Sequence, residues 1–135
     1  MFRFFPILLL CICTISCKKT IERKQEQIVM DAITKGLWIV DLYTEDGAVM
    51  TGNYEGYEFK FNDNETLNAL KSGSSEPGTW KPNIAQYTIT TNFPGATDPL
   101  DKLSSTWKLT DSDWDYVKSE SSATGIRRVL HLRKK

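Results

Sequence analysis

The sequence predicts an all-β protein, an eight-stranded antiparallel up-and-down β-barrel preceded by a short N-terminal helix. Three observations predict it. Beyond residue 36, apolar and polar residues alternate in short runs separated by Gly, Asn, Asp and Ser turns. The runs recur at roughly the 8–12-residue spacing of an antiparallel meander. No second helical pattern interrupts them, which argues against parallel βαβ units.

The first run, 36–43, places Trp38, Val40 and Leu42 on one face. Residues 57–61 alternate most cleanly, with Tyr57, Phe59 and Phe61 inward and Glu58 and Lys60 outward. Asn62–Glu65 turns the chain, and 66–71 returns as the hairpin partner. Ser72–Gly78 reads as a polar loop, followed by strands at 79–81, 86–91, 102–109, 113–119 and 127–133. Closing eight strands into a barrel removes exposed edges, and a two-sheet sandwich is the alternative arrangement.

Ahead of the strands, residues 20–35 contain neither Gly nor Pro, and Ile21, Ile28, Val29, Ala32 and Ile33 can share one helical stripe ended by Gly36. Two readings stay open: a spacer helix whose apolar face plugs the barrel, or a tether with one or two ordered turns.

The first sixteen residues have a different character. Arg3 precedes an uncharged apolar run from Phe4 to Ile15, the layout of a secretory signal. The run is shorter than the ~20 residues that a permanent membrane helix needs. Thr14-Ile-Ser-Cys17 resembles the lipobox of bacterial lipoproteins, with Thr14 where Leu is usual. The resemblance implies cleavage before Cys17, a diacylglyceryl group on its thiol and a palmitate-type acyl chain on the new amine. Lys18, where Asp would mark retention in the inner membrane, directs the expectation to the outer membrane. The expected organisation is a signal peptide at 1–16, a lipidated tether and helix at 17–35, and a barrel domain at 36–135.

Composition bounds the chemistry. The 135 residues carry 17 basic and 17 acidic side chains, and removing 1–16 takes only Arg3 from either set. A near-neutral domain has no electrostatic footprint for nucleic acid. All three cysteines (Cys11, Cys13, Cys17) lie in the N-terminal segment, so no disulfide is expected in the barrel. His131 is the only histidine, which excludes a Cys/His zinc site and leaves a triad one improbable base. Asp111-Ser-Asp113-Trp-Asp115 lacks the Gly and distal Glu of a calcium loop and reads as a polar turn. The expectation is a non-enzymatic protein without metal or cofactor.

Gly36-Leu-Trp38 looks like the Gly-x-Trp signature of lipocalins. Gly56-Tyr-Glu-Phe-Lys-Phe-Asn-Asp-Asn-Glu-Thr66, Pro77-Gly-Thr-Trp80 and the strand from Leu103 to Leu109 are similar to the short lipocalin-like domain of bacterial lipoproteins. The resemblance implies a last-strand arginine stacked on the first-strand tryptophan. Arg128, on the face of Leu130 and Leu132, is the expected partner of Trp38. It also implies a small hydrophobic ligand. The candidate contacts are the inward aromatics Trp38, Phe59, Phe61, Trp80 and Trp107, with Met50 and Tyr54 from the long loop 44–55. A second loop, 92–100, offers Phe93 and Leu100.

The strands are short for a lipocalin, and the same aromatics can simply fill the interior. The alternative expectation is therefore a filled barrel that meets an envelope protein or glycan through its loops. A cavity of roughly 300 Å³ or more marks the first reading. An exposed apolar patch near Phe93 or Met50 marks the second.

Overall fold

The computed structural model describes residues 14–135, with side chains described from residue 23. Residues 1–13, most of the expected signal peptide at 1–16, lie outside the described residues. Helix α1, Thr14–Thr34, leads into nine strands. They are β1 (Trp38–Glu45), β2 (Ala48–Val49), β3 (Glu58–Phe61), β4 (Thr66–Lys71), β5 (Ser74–Asn83), β6 (Thr88–Asn92), β7 (Ser105–Ser112), β8 (Tyr116–Ser121) and β9 (Arg128–Lys134). All pairings are antiparallel; β1 pairs with β3, the strands from β3 to β9 pair in sequence, and β1 pairs with β9 to close an eight-stranded barrel. The two-residue β2 is a short flap on β1.

Over 20–34 the chain is helical rather than a tether with one or two ordered turns. Lys35 and Gly36 end the helix, with Gly36 at φ +76°, the left-handed position that favours glycine. Ile33 is buried in the core, with Val29 and Met30 packed beside it, so the helix end stoppers the barrel where β1 begins. Two side chains satisfy carbonyls that a helix terminus leaves open. The Trp38 indole donates to Ile33 O at 2.8 Å, and Lys60 Nζ donates to Thr34 O at 2.7 Å.

The same device recurs at the other two buried tryptophans. Trp80 Nε1 donates to Asn62 O in the β3–β4 turn, and Trp107 Nε1 to Leu103 O in the β6–β7 connection. Each indole fills the core with its rings and spends its single polar atom on a main-chain carbonyl of a connector. The recurrent tryptophan at strand positions thus holds helix and loops to the barrel.

Three local readings are corrected. A β-bulge between Val40 and Leu42 adds one residue to β1. Trp38 and Val40 point inward, but beyond the bulge Tyr43, fully buried, takes the inward place expected of Leu42. Ser72–Gly78 is not a loop: Ser72-Gly73, both with positive φ, form a tight two-residue hairpin, and β5 runs from Ser74. Ladder pairing to β4 over Ser74–Thr79 outweighs the low strand propensity of Ser, Pro and Gly there. The loops at 44–55 and 92–100 do not hold out open contact residues. The first is a hairpin followed by a 3-10 turn at Thr51–Tyr54, and in the second Phe93 and Leu100 are buried core residues.

Gly78 shows why one of these loops is ordered. A Cβ there would lie 2.6 Å from Asn92 O and 2.8 Å from Phe93 Cδ1, so the missing side chain lets the Phe93 ring lie on β5. Gly78→Ala is expected to cost about 1–3 kcal/mol through overpacking. Gly52→Ala, with nothing within 4 Å, is expected to be near neutral. Equal melting temperatures for the two variants would reject this account.

Candidate functional site

The barrel interior is the first place to look for a ligand. Trp38, Phe59, Phe61, Trp80 and Trp107 all point into it and are all buried, as the alternation requires. Phe61 and Trp80 meet edge to face at 5.3 Å, and Phe59 meets Phe93 at 6.4 Å. The remaining void is about 50 Å³, walled almost wholly by apolar side chains and stoppered by Ile33. That is room for a water or two, far below the ~300 Å³ of the smallest usual ligand pockets. Trp80 does not line this void, while Trp38, Phe59, Phe61 and Trp107 do.

At the opposite end from α1 a set of polar side chains closes the barrel. Tyr43 donates from its hydroxyl to Glu45 Oε1 at 2.7 Å. Arg128 Nε lies 3.6 Å and Lys102 Nζ 3.7 Å from the same oxygen. Tyr54 stacks edge-on against Tyr43 at 5.0 Å and donates to Pro99 O. Burial, and then the neighbouring Glu45 carboxylate, raises the Tyr43 hydroxyl far above its ordinary value. Burial and Tyr43 do the same to Tyr54. Both phenols are fixed hydrogen-bond donors, unsuited to proton transfer near neutrality.

The stack expected between Trp38 and Arg128 does not form. The antiparallel register sets Trp38 opposite Lys134 and Glu45 opposite Arg128, at the two ends of the β1–β9 ladder. Lys134 Nζ supplies the cation, 5.3 Å from the Trp38 ring centroid. Parity admitted both residues, and only the register distinguishes them.

Of the two loop candidates, Tyr54 is buried and Met50 is half-buried against the core. The expected patch at Phe93 is absent because that ring is buried. Among the described residues the large apolar side chains most open to solvent are Ile28, Val49, Tyr87 and Trp114.

Strand pairing creates a second cavity that no local pattern signals. β1 is paired along its length with β9, but with β3 only at Trp38 and Phe59. Beyond that bridge the two strands part around a groove of about 390 Å³, lined by Ile39, Val40, Tyr54, Glu55, Tyr57 and Glu58 together with Thr51, Gly52 and Gly56. This groove faces outward and has the size of a binding site. It is a candidate site outside the core.

No group of three or more His, Cys, Asp or Glu side chains among the described residues is arranged to hold a metal ion. His131 lies on the outside of β9, beside Lys118 and Asp41. Partial burial, then Lys118, lowers its pKa below the usual 6.5, with Asp41 acting in the other direction. The unfolded chain therefore binds this proton more tightly. The resulting stability is present above the unfolded value and falls as pH drops through it to the folded value. His131→Gln is expected to flatten the decline in stability as pH falls below the ordinary histidine value of 6.5. Parallel declines in both proteins would reject the assignment.

The fold has a known counterpart. A crystal structure of a DUF4847 family protein from Bacteroides vulgatus ATCC 8482 superposes with a TM-score of 0.60 at 12% identity. The match covers 79% of this chain and 97% of that one. At that identity the likeness establishes the barrel architecture alone. No protein-family model matches the chain, and no curated protein matches it.

Proposed function

We propose that the protein is a lipid-anchored component of the bacterial cell envelope that works through its outer surface, by binding a partner protein. The observation that carries the surface reading is the filled interior, about 50 Å³ of apolar void. A carrier of a small hydrophobic molecule needs several times that volume. The anchor rests on the lipobox-like Thr14–Cys17 and on the uncharged run before it. Residues 14–17 begin α1, so acyl chains on Cys17 would sit about 24 Å along the helix from the Ile33 stopper.

One feature favours a second reading, an apolar-ligand carrier. The void is closed by a helix end, which a conformational change could withdraw more easily than a strand. Native mass measurement on the mature protein purified from its own envelope separates the two. The surface reading expects the polypeptide with its acyl groups and nothing more. An added mass of a few hundred daltons, lost on denaturation, would replace it by the carrier reading. For the anchor, Cys17→Ala is expected to move the protein from the membrane to the soluble fraction and to abolish labelling by a palmitate analogue. Unchanged labelling would reject lipidation at Cys17.

A further inference from the structure

We infer that the β1–β3 groove is a docking site for a short, extended, basic segment of the partner protein, an inference that rests on the surface reading above. Three observations meet there.

The first is an open strand edge. Hydrogen-bonding groups of an antiparallel strand face alternate sides. Lys135 N bonds Leu37 O on the β9 side, and Trp38 bridges Phe59 on the other. Val40, two residues after Trp38, is then the next residue whose N–H and C=O face the groove, and no strand pairs with it there. Only at Tyr43 is that edge covered again, by Met50 N and the Thr51 hydroxyl. The open stretch between, 39–42, is roughly 13 Å long, enough for a few residues of an added strand.

The second is charge. Both charged residues lining the groove, Glu55 and Glu58, are acidic. Glu55 has no ion-pair partner among the described residues. Glu58 is held by the exposed Lys135, a surface pair that a competing cation can displace. The third is an aromatic wall. Tyr57 stacks on Phe59 at 6.1 Å and already carries the protein's own ammonium, Lys71 Nζ, 4.6 Å from its ring centroid, so the ring offers an apolar wall and leaves an incoming cation to the two carboxylates. An extended backbone satisfies Val40, apolar side chains meet Ile39 and Tyr54, and a Lys or Arg reaches the two carboxylates.

The test uses the mature lipidated chain in detergent micelles, observed by amide NMR. The probe is a capped five-residue peptide alternating valine and lysine, and its control carries glutamate in place of lysine. The expected result is shifts confined to Val40 and residues 54–58, with binding about tenfold tighter than the control. Glu55→Lys is expected to remove that preference, and Glu58→Lys to do so independently. No shifts, shifts elsewhere, or equal binding of the two peptides would overturn the inference. A silent groove on a barrel of bare native mass overturns the groove alone, whereas a bound apolar ligand overturns the surface reading beneath it.

Discussion

Replacing Trp38 by alanine is expected to lower the stability of the protein by about 3–5 kcal/mol, the range for a large buried aromatic cut to alanine. The side chain is 1% exposed and stands at three junctions at once. It forms the sole bridge between β1 and β3, opposes Lys134 on β9, and donates its indole proton to Ile33 O at the end of α1. Truncation leaves a cavity beside the existing void and removes one of the two donors that cap the helix. Trp38→Phe separates the two effects. It keeps most of the ring volume and loses the N–H, and is expected to cost about 1–2 kcal/mol. Urea unfolding measures both losses. Hydrogen exchange in 28–34 reports whether the helix end has come away from the barrel. A loss under about 1.5 kcal/mol for Trp38→Ala, with helix exchange unchanged, would show that the stopper is held by something else.

That junction also marks how far the sequence could be read. Strand alternation identified Trp38, Phe59, Phe61, Trp80 and Trp107 as interior side chains because period two is a local property of the chain. Gly36 as the helix stop and Asn62–Glu65 as a turn were legible for the same reason. The bulge after Val40 was not, since an inserted residue is set by the partner strand and leaves no local mark. Placing Arg128 against Trp38 failed likewise: side-chain parity repeats every two residues, while register is a long-range property. The candidate groove is the extreme case. It exists because β1 and β3, which flank the flap and a 3-10 turn, pair at one position and then diverge. Nothing in either strand alone announces that they part.

Glu45→Ala is expected to be the second costly substitution, at about 3 kcal/mol, although it removes only a small polar side chain. Glu45 and Arg128 are 15% and 13% exposed and face each other across the ladder that closes the barrel. Arg128 Nε already lacks a hydrogen-bond partner, and Lys102 approaches the same carboxylate from the 3-10 turn at Leu100–Leu103. Removing the carboxylate leaves a buried guanidinium uncompensated and the Tyr43 hydroxyl without its acceptor. Breaking one side of a buried pair costs about 3–5 kcal/mol, and Lys102, partly solvated and also held by Asp98, keeps the estimate at the lower end. Replacing both partners by leucine tests the cause. If the loss comes from the stranded charge, Glu45→Leu with Arg128→Leu is expected to recover most of it, because apolar pairs of similar volume often match buried ion pairs. Urea unfolding of the two single variants and the double variant gives the coupling. A double variant no more stable than Glu45→Leu would mean that the carboxylate acts mainly through Tyr43. Recovery in the double variant would instead trace the loss to the stranded guanidinium and show that the pair adds little net stability. The pair nonetheless matches the end of β1 to the start of β9, and a one-residue slip of either strand would carry one of the two charges to the outer face.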